Sequence, residues 1–594
     1  MKTDTLVTLL SLVLTLAAMM YPHDPVHKSE DTSGAARRGE HLLIFALLTA
    51  TLLLRFAYVF RYPIESDEPQ HLHVVWGWVH GLLQYRDVFD NHMPLFHLLC
   101  APLLVVFGER PEVLYCMRLA MIPLYAVVLW STYTIGRVLF SRRVGLWATV
   151  FAGLFPSFFL CSLEFRTDEL WTALWLLALV VLVASPATPA RSFLVGVILG
   201  AALGASMKTV LLLTALGVAV LAAVVLTAQS RSQPSLRHLG RCAAAALVGF
   251  SLVPLALTLF FTVAGALPPF FYGTVEHNTL PGLGRWHTQP AQVLFFPAML
   301  PFLWWGARTI GRCAPSTSIG ARRVIIFLAA QVYLWALLSF WPLLEREDYL
   351  PFYPLAILFL TPVILALPSR IAMRARNILP THPLPEALGP MLVAVLEITW
   401  LLAAWPLWRD GTRDAADLLV DVLRLTQPSD PIMDLKGETV FRPRPFYYVL
   451  EGITNERIRR GLIADSIPER LIATRTYVAV ADNDRFPPRA RTFLQENYLP
   501  VGRLRVVGRL LTAPAQDGTH SFPFEVQIPA RYAIVAESGS VVGWLDGTPY
   551  EGARFLAPAP HEFRSASGQG RFALVWAQAV ERGFSPFPLR SGSP

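Results

Sequence analysis

The fold is decided by the segment RYPIESDEPQHLHVVWGWVHGLLQYRDVFDNHMPLFH, residues 61–97. It holds two adjacent carboxylates, Asp67 and Glu68, and five histidines, although the chain around it is 54% hydrophobic and only 15% charged. A soluble protein of ordinary composition carries about a quarter of its residues as charge. So many ionisable groups between apolar runs indicate a polar loop that connects the helices of a membrane protein.

Apolar runs recur on both sides of this loop, and they predict a polytopic α-helical membrane protein. A membrane-spanning helix needs about 17–25 apolar residues, which gives this chain about 11–12 transmembrane helices. The predicted spans are 41–60, 114–138, 144–160, 169–185, 192–206, 208–228, 242–263, 291–306, 324–342, 350–367 and 388–406. Residues 94–107 form a shorter run after Pro94, so we expect a re-entrant or interfacial helix there.

Residues 5–20 form a further apolar run. This run could be the core of a signal peptide, an additional helix or a translational overrun before Met20. No small-x-small cleavage site follows it, which favours a helix. We therefore interpret residues 1–40 as an N-terminal helix followed by a cytoplasmic segment.

The net charge of +8 invites comparison with nucleic-acid-binding proteins. However, the arginines lie in short connections between apolar runs, which is typical of cytoplasmic loops. These arginines are Arg37, Arg38, Arg137, Arg142, Arg143, Arg231, Arg237, Arg241, Arg308, Arg312, Arg322, Arg323, Arg370, Arg374 and Arg376. The positive-inside rule then places the loops around Asp67, Asp168, His277 and Arg346, and everything after Trp408, on the extracytoplasmic face. We expect membrane lipids and no nucleic acid as partners.

Beyond residue 410 the apolar runs shorten, and Pro, Arg, Asp and Gly become frequent. Strand-like and helix-like runs alternate to about residue 514, and strand-like runs separated by turn residues continue to the end. We predict a transmembrane domain over 41–410, an extracytoplasmic α/β domain over 411–514 and an extracytoplasmic β-rich domain over 515–594. None of the five cysteines lies beyond residue 410, so we expect no disulfide framework there.

The order of several motifs resembles a known family. SDEPQHLH opens the polar loop at Ser66, and GLLQYRDVFDNHMPLFHLLCAPLLVVFGERPEVLYCMRL follows at 81–119. SRRVGLWATVFAGLFPSFFLCSLEFRTDELWTALWLLAL, GASMKTVLLL and REDYLPFYPLAIL come next along the chain. Over residues 41–406 this set resembles the GT-C membrane glycosyltransferases that use polyprenyl-phosphate sugars, such as protein O-mannosyltransferases and the aminoarabinose transferases of lipid A.

This resemblance implies an enzyme that moves a sugar from a polyprenyl-phosphate donor to a glycan, lipid or protein acceptor. It implies an inverting reaction in the bacterial inner membrane, with the catalytic loops and the C-terminal region on the extracytoplasmic side. Asp67 corresponds to the catalytic base of the family, and Asp168 corresponds to its second external acid. Asn91 and His92 match a polar position before proline, where many relatives carry lysine.

Two further basic residues follow from the same resemblance: Lys208 matches the lysine of SMKT, and Arg346 matches the arginine before Y-L-P. The departing phosphate is a stable anion, so cations rather than an acid are needed on its side. The candidates for donor-phosphate binding are Arg346, Lys208, His92 and Arg166, and those for substrate binding are Asn91 and Tyr349. A carboxylate must take the proton of the acceptor. Asp67 fits this task, with Glu68 and Asp168 as the other catalytic candidates, which would position the acceptor or adjust the pKa of the base.

Simpler interpretations stay open for these residues. Asp67 and Asp168 could only start helices, Lys208 could be an interfacial lysine that extends towards water, and Arg346 could lie in a solvated turn. Asp67 and His71 are four residues apart and could provide two ligands to a divalent metal. No third ligand is evident, and the sequence indicates no other cofactor.

Two other functional classes compete with a transferase. A transporter or flippase of a lipid-linked or polar substrate would place ionisable groups near the bilayer midplane and would often contain repeats. Glu397 is the one clear midplane acid, and no repeat is visible. A non-catalytic scaffold would leave the loop around Asp67 without a task. The sequence therefore favours the enzyme.

Overall fold

The computed structural model describes residues 3–21, 34–227, 235–283, 285–375, 387–481, 484–512, 520–566 and 570–587. The chain divides into two compact units. The first, which we call the membrane unit, comprises Met1–Ile64, Asn91–Leu99 and Tyr115–Thr412. The second, which we call the tail unit, comprises Glu65–Asp90, Cys100–Leu114 and Arg413–Pro594. The first polar loop thus belongs to the same unit as the C-terminal region.

Helices dominate the first 404 residues. Their bounds are α1 Thr3–Met19, α2 Gly34–Val59, α3 Asp67–Val79, α4 Leu95–Phe107, α5 Val113–Leu119, α6 Ile122–Leu139, α7 Arg142–Leu154, α8 Pro156–Cys161, α9 Thr167–Ala184, α10 Pro189–Ala205, α11 Thr209–Thr227, α12 Leu236–Val263, α13 Leu267–Phe271, α14 Arg285–Thr288, α15 Pro290–Arg312, α16 Thr317–Phe340, α17 Tyr353–Ala375 and α18 Leu388–Ala404. A π-helical turn covers Tyr272–Glu276, and a 3-10 helix covers Arg346–Tyr349.

The predicted polytopic helical architecture is confirmed. Within the described residues, seven helices are long and apolar enough to cross a membrane: Arg38–Val59, Val113–Leu139, Thr167–Ala184, Thr209–Leu226, Arg237–Val263, Val293–Arg312 and Thr317–Phe340. Shorter apolar helices are Asp4–Met19, Leu95–Phe107, Pro189–Ala205, Tyr353–Leu367 and Leu388–Ala404. Of the arginines that we expect in cytoplasmic loops, Arg231 and Arg376 lie outside the described residues.

One predicted span is interrupted. The sequence predicts a continuous helix over 144–160, but α7 ends at Leu154 and α8 begins at Pro156. Proline lacks the backbone N–H of a helix interior and disfavours helical geometry in the residue before it. Phe155 accordingly has φ −59° and ψ 114°, outside the helical region.

The apolar run near the start of the sequence folds as the helix α1, as favoured by the sequence. It packs against α15 and α17 of the membrane unit. Asp4, in its first turn, accepts a hydrogen bond of 2.8 Å from the hydroxyl of Tyr349.

Glycines allow two helices of the membrane unit to approach closely. A β-carbon on Gly196 of α10 would lie 2.0 Å from the carbonyl oxygen of Ala246 on α12. From the other side, a β-carbon on Gly249 of α12 would lie 2.2 Å from the carbonyl oxygen of Phe193. Small residues at such a crossing let two backbones approach closely. The resulting van der Waals contact stabilises helix packing in a membrane, where no hydrophobic effect drives helices together.

The tail unit contains α3 and a C-terminal region of mixed helices and strands. The helices are α19 Arg413–Leu425, α20 Gly452–Arg459, α21 Ile467–Ala473, α22 Pro488–Asn497 and α23 Ala577–Glu581. The strands are β1 Ile432–Met433, β2 Val478–Val480, β3 Tyr498–Val501, β4 Leu504–Leu511, β5 Ser521–Val526, β6 Ala530–Ala536, β7 Gly543–Leu545, β8 Thr548–Pro549, β9 Arg554–Leu556, β10 Ala559–Ser565 and β11 Phe572–Trp576.

Two sheets form from these strands. The larger has the order β1-β2-β4-β11-β6-β9, with β3 also paired to β4, and the smaller has the order β5-β10-β7-β8. Strand β4 pairs antiparallel with β11, with Phe572 opposite Leu511. One sheet and one hydrophobic core therefore draw on both sides of residue 514, where the sequence predicts a domain boundary. The predicted C-terminal β-rich region is confirmed.

Candidate active site

The tail unit places Asp67 in the first turn of α3, as the sequence predicts. The N-cap residue is Ser66, whose side chain makes no capping hydrogen bond. Glu65 supplies that bond instead, because its Oε2 accepts from the backbone N–H of Asp67 at 2.7 Å. The Asp67 carboxylate is thereby left for other contacts, and its side chain is 17% exposed.

Glu68 has a structural task in the same turn. It is buried, and its Oε1 accepts a hydrogen bond of 2.9 Å from the backbone N–H of Glu65. Glu65 and Glu68 together close the start of the helix in a reciprocal arrangement, since carboxylates are favourable beside the N–H groups of a helix N-terminus. A catalytic role for Glu68 stays a prediction.

The Asp67 carboxylate contacts Lys436, a residue 369 positions later in the chain. The Lys436 ammonium forms an ion pair with Oδ1 of Asp67 and donates to Oγ of Ser66 at 3.1 Å. Lys436 lies between β1 and α20, and its side chain is only 11% exposed. The candidate base is therefore paired with a cation that the sequence reasoning did not identify.

Buried hydrogen bonds shape the loop that carries Lys436. Asp434 accepts from the N–H of Gly437 at 3.1 Å, from the N–H of Thr439 at 3.0 Å and from Nε of Arg444 at 2.6 Å. Burial opposes ionisation, but Arg444 and the other donors hold the pKa of Asp434 below its usual value. The loop is thus fixed by an ionised carboxylate at its centre.

The membrane unit gathers a second set of charged side chains, which we call the charge cluster. Its members are Glu164, Arg166, Asp168, Lys208, Arg346, Glu347 and Asp348. They come from the segment before α9, the first turn of α9, the connection between α10 and α11, and the 3-10 helix. Three cations thus face four carboxylates.

Asp168 lies in the first turn of α9 between two of these cations. Lys208 donates to its Oδ1 at 3.2 Å, and Nε of Arg166 lies 3.5 Å from its Oδ2. Lys208 also contacts Oδ1 of Asp348, and Arg166 also donates to Glu347. Asp168 is 3% exposed, so its negative charge is met by protein cations rather than by water.

The 3-10 helix Arg346–Tyr349 completes the cluster. Arg346 donates to Glu164 and, at 2.6 Å, to the hydroxyl oxygen of Tyr62. Asp348 accepts from the N–H of Glu345 at 2.9 Å, which fixes the start of the helix. The Arg346 side chain is 35% exposed, against 18% for Lys208 and 6% for Arg166. Arg346 is therefore the most accessible of the three cations.

Burial affects two carboxyls of the 3-10 helix. Burial and the neighbouring Asp348 raise the pKa of Glu347 to about 7, although Arg166 opposes the shift. Burial also raises the pKa of Asp348 above its usual value, against the effect of Lys208. The cluster has one more carboxyl than cations, and the raised pKa values of Glu347 and Asp348 oppose the accumulation of negative charge there.

The remaining predicted site residues lie at different places in the membrane unit. His92 is near enough to Asp168 to interact with it electrostatically. The Asn91 side chain donates to Oδ1 of Asn278 at 3.3 Å, and Asn278 donates back to the carbonyl oxygen of Asn91 at 2.8 Å. Tyr349 is fully buried, so its substrate-binding role stays a prediction.

The structure thus brings Arg166, Asp168, Lys208 and Arg346 into one cluster, while Asp67 and Glu68 belong to the tail unit. Sequence reasoning missed Glu164, Glu347, Asp348, Tyr62, Asn278 and Lys436. The three acids lie in the segments CSLEFRTDEL and LEREDYLP, close to the candidates Arg166, Asp168 and Arg346. Their signal in the sequence was an acid within two residues of Arg166 and of Arg346.

The metal suggested for Asp67 and His71 finds no further support. Among the described residues, no group of three or more His, Cys, Asp or Glu side chains is arranged to hold a metal ion. The Asp67 carboxylate instead forms an ion pair with the ammonium of Lys436.

Comparison with known proteins agrees with this architecture. Residues 91–255 match the family model described as dolichyl-phosphate-mannose-protein mannosyltransferase. No curated protein shows significant sequence similarity to the chain.

Two solved structures of one protein, ArnT, share its fold. ArnT from Cupriavidus metallidurans in the apo state is 15% identical, with a TM-score of 0.50, over 80% of this chain and 98% of that chain. The same protein bound to undecaprenyl phosphate is 16% identical, with a TM-score of 0.50, over 78% of this chain and 97% of that chain. The archaeal oligosaccharyltransferase AglB from Archaeoglobus fulgidus is 12% identical, with a TM-score of 0.44, over 80% of this chain and 74% of that chain.

The predicted resemblance to GT-C membrane glycosyltransferases is confirmed by the family match, and the predicted fold is confirmed by the structural likeness. The chain is an integral membrane glycosyltransferase.

Proposed function

We propose that this glycosyltransferase moves a sugar from a polyprenyl-phosphate donor to an acceptor on the extracytoplasmic face of a bacterial inner membrane, with Asp67 as general base. The observation that carries the proposal is the family match over residues 91–255. That segment contains His92, Glu164, Arg166, Asp168 and Lys208, which supply most of the charged groups described in the membrane unit.

The donor is proposed from two further facts. A solved protein of the same fold binds undecaprenyl phosphate. The membrane unit carries Arg346, whose guanidinium is partly exposed and already donates to oxygen atoms of Glu164 and Tyr62. An arginine fork suits the oxygens of a phosphate in the same way. Arg346 would stabilise the phosphate as the sugar leaves, with Lys208 and Arg166 setting the charge around it.

In the proposed reaction, the bond between the anomeric carbon and the phosphate oxygen breaks, and a bond forms between that carbon and an acceptor oxygen or nitrogen. The polyprenyl phosphate leaves as an anion, so it needs no proton from an acid. The acceptor proton goes to the Asp67 carboxylate, which acts as a general base. Attack from the side opposite the phosphate inverts the anomeric configuration. The acceptor is a glycan, a lipid or a protein.

The reaction is tested with purified protein in lipid nanodiscs and a panel of polyprenyl-phosphate sugars, with release of free polyprenyl phosphate as the measurement. Membrane extracts supply the acceptor. The wild type should consume at least one donor, and Asp67→Asn should lower the rate by about 100-fold or more, since a general base contributes about 10²–10⁴-fold.

Asp87→Asn is the matched control, because Asp87 lies in the same loop and pairs with the exposed Arg86. Its amide oxygen can still accept from the N–H of Leu83, so this variant should work at the wild-type rate. A wild-type rate in Asp67→Asn would remove the base assignment. Failure of the wild type with every donor would contradict the proposed function itself.

The proposed orientation has its own test. Val542 is 54% exposed in the tail unit, and Val542→Cys should react with a membrane-impermeant maleimide in intact spheroplasts. The wild type is the control for its five native cysteines, of which four are buried. Labelling that appears only after lysis would place the tail unit in the cytoplasm and overturn the orientation.

A further inference from the structure

The chain uses lysine sparingly. It contains 46 arginines and four lysines: Lys2, Lys28, Lys208 and Lys436. Lys208 and Lys436 lie within the described residues: Lys208 contacts Asp168 and Asp348 in the membrane unit, and Lys436 contacts Asp67 in the tail unit. Lysine presents a compact ammonium with three rotatable donors, whereas arginine presents a broad planar fork. Within the described residues, Lys208 and Lys436 are the two positions at which an ammonium rather than a guanidinium meets a carboxylate.

Internal hydrogen bonds hold the loop that carries Lys436 in place without a bound substrate. The buried Asp434 carboxylate accepts hydrogen bonds from the backbone N–H groups of Gly437 and Thr439. Glu438 accepts from the N–H of Lys436 at 2.8 Å and from that of Leu435 at 3.1 Å. The backbone on both sides of Lys436 is thus tied to the carboxylates of Asp434 and Glu438, which fixes the point from which its side chain extends.

Helix α3 meets this loop closely. Gly437 has φ +108°, and a β-carbon on it would lie 2.9 Å from the β-carbon of His73. Nδ1 of His73 donates to the carbonyl oxygen of Val440 at 2.7 Å. Burial lowers the pKa of His73, so this donor is a neutral imidazole with its proton on Nδ1. The loop therefore docks on α3 at His73, six residues beyond Asp67.

We propose that Lys436 is a positioning residue through which the C-terminal region orients the Asp67 carboxylate and keeps it ionised for proton transfer. This inference rests on the proposed function of Asp67 as the base. An ammonium beside a carboxylate favours its charged form, and the additional bond to Ser66 fixes the direction of the ammonium. The C-terminal region then contributes to catalysis by orienting the base, whether or not it also binds the acceptor.

The test compares Lys436→Met, Lys436→Arg and Arg489→Met in nanodiscs, with kcat and KM measured separately for the donor. Lys436→Met removes the charge and keeps the length of the side chain. We expect kcat to fall by about 100-fold, because a base displaced by about 1 Å loses that much, while KM changes less than about threefold. Lys436→Arg restores the charge, and its kcat should be at least about tenfold higher than that of Lys436→Met.

Arg489→Met is the control for removal of an ion pair from the tail unit. Arg489 pairs with Glu469 on an exposed surface, and both constants should stay at their wild-type values. A wild-type kcat in Lys436→Met overturns the inference. So does a raised KM with an unchanged kcat, because Lys436 would then bind substrate. Equal loss in Lys436→Met and Lys436→Arg, together with a lowered unfolding temperature, indicates a purely structural role and also overturns it.

The double variant Asp67→Asn/Lys436→Met separates this inference from the proposed function. If Lys436 acts through Asp67, the double variant should be no slower than Asp67→Asn alone, since residues that act as a unit are not additive. Multiplied losses would show that Lys436 acts elsewhere, while Asp67 keeps its role. Full activity of Asp67→Asn would overturn the base assignment whatever Lys436 does.

Discussion

Two short segments of this chain share a local sequence but have different surroundings. Ser66-Asp67-Glu68 starts α3 in the tail unit, and 167–169, Thr-Asp-Glu, starts α9 in the membrane unit. Each aspartate lies in the first helical turn, where the N–H groups of the helix favour a negative charge. Each is also contacted by one of the two lysines within the described residues.

The surroundings of the two aspartates then diverge. Asp168 is almost completely buried in a network of seven charged groups, whereas Asp67 is partly exposed and paired with Lys436. The glutamates differ as well. Glu68 accepts from the N–H of Glu65, but neither carboxylate oxygen of Glu169 has a hydrogen-bond partner among the described residues.

This comparison shows that a helix N-terminus stabilises a carboxylate but does not determine what that carboxylate does. The network around Asp168 suits a fixed electrostatic role, because a buried charge surrounded by ion pairs cannot change its protonation state without disturbing its partners. The environment of Asp67 suits proton transfer, since the carboxylate is partly exposed and is paired with the ammonium of Lys436. Four substitutions test this contrast.

The largest expected effect is on the charge cluster. Lys208→Met leaves Asp168 and Asp348 buried without their shared cation, and breaking a buried pair costs about 3–5 kcal/mol. The unfolding temperature in detergent, followed by tryptophan fluorescence, should fall markedly. Lys208→Arg keeps the charge and is the control. An unchanged unfolding temperature in Lys208→Met would show that the cluster does not depend on this lysine.

A smaller effect is expected where the Lys436 loop meets α3. Gly437→Ala places a methyl group against His73 and forces alanine into φ +108°, which we expect to cost about 2 kcal/mol. The control is Gly461→Ala, at φ +71° with open space around the β-carbon. Unfolding of the tail unit and transfer activity should both suffer more in Gly437→Ala. Equal effects of the two changes would mean that the contact with His73 is unimportant.

The charge cluster should also make the stability of the protein depend on pH. The folded protein raises the pKa of Glu347 from 4.5 to about 7, so it holds a proton that the unfolded chain releases at lower pH. The stability contributed by this group is therefore lost as pH rises from about 4.5 to about 7.

Glu347→Gln removes the titrating carboxyl group. The unfolding temperatures at pH 5.5 and pH 8 should therefore differ less in this variant than in the wild type. Glu496→Gln, on an exposed carboxylate, should keep the wild-type difference. A pH difference in Glu347→Gln as large as in the wild type would assign the titration to another group.

The smallest effect is expected at the surface of the tail unit. Arg503 pairs with Asp414 and Asp417, and all three side chains are well exposed. Arg503→Met should change the free energy of unfolding by less than about 0.5 kcal/mol, because solvent screens such pairs. A larger change, measured by denaturant unfolding of the same preparation, would mean that surface ion pairs matter to the tail unit as much as buried ones.

Much of the fold was predictable because its signals are local. Apolar runs marked the membrane helices, and short strand-like runs separated by turn residues marked β4, β6 and β11. The same reasoning failed at Pro156, where the apolar pattern continued but the backbone could not. It also could not foresee that β4 and β11 belong to one sheet, since strand pairing depends on contacts between distant residues.

The sequence by itself determined that this is a polytopic membrane protein with a mixed C-terminal region, and that Asp67 and Asp168 start helices. Hydropathy and helix capping depend on neighbours within a few residues, so the chain displays them directly. Only the tertiary structure decided that Lys436 pairs with Asp67 and that Glu164, Glu347 and Asp348 surround the cations. Apart from Glu164 and Arg166, the paired residues lie more than a hundred positions apart, and burial makes their charges interact only after the chain has folded around them.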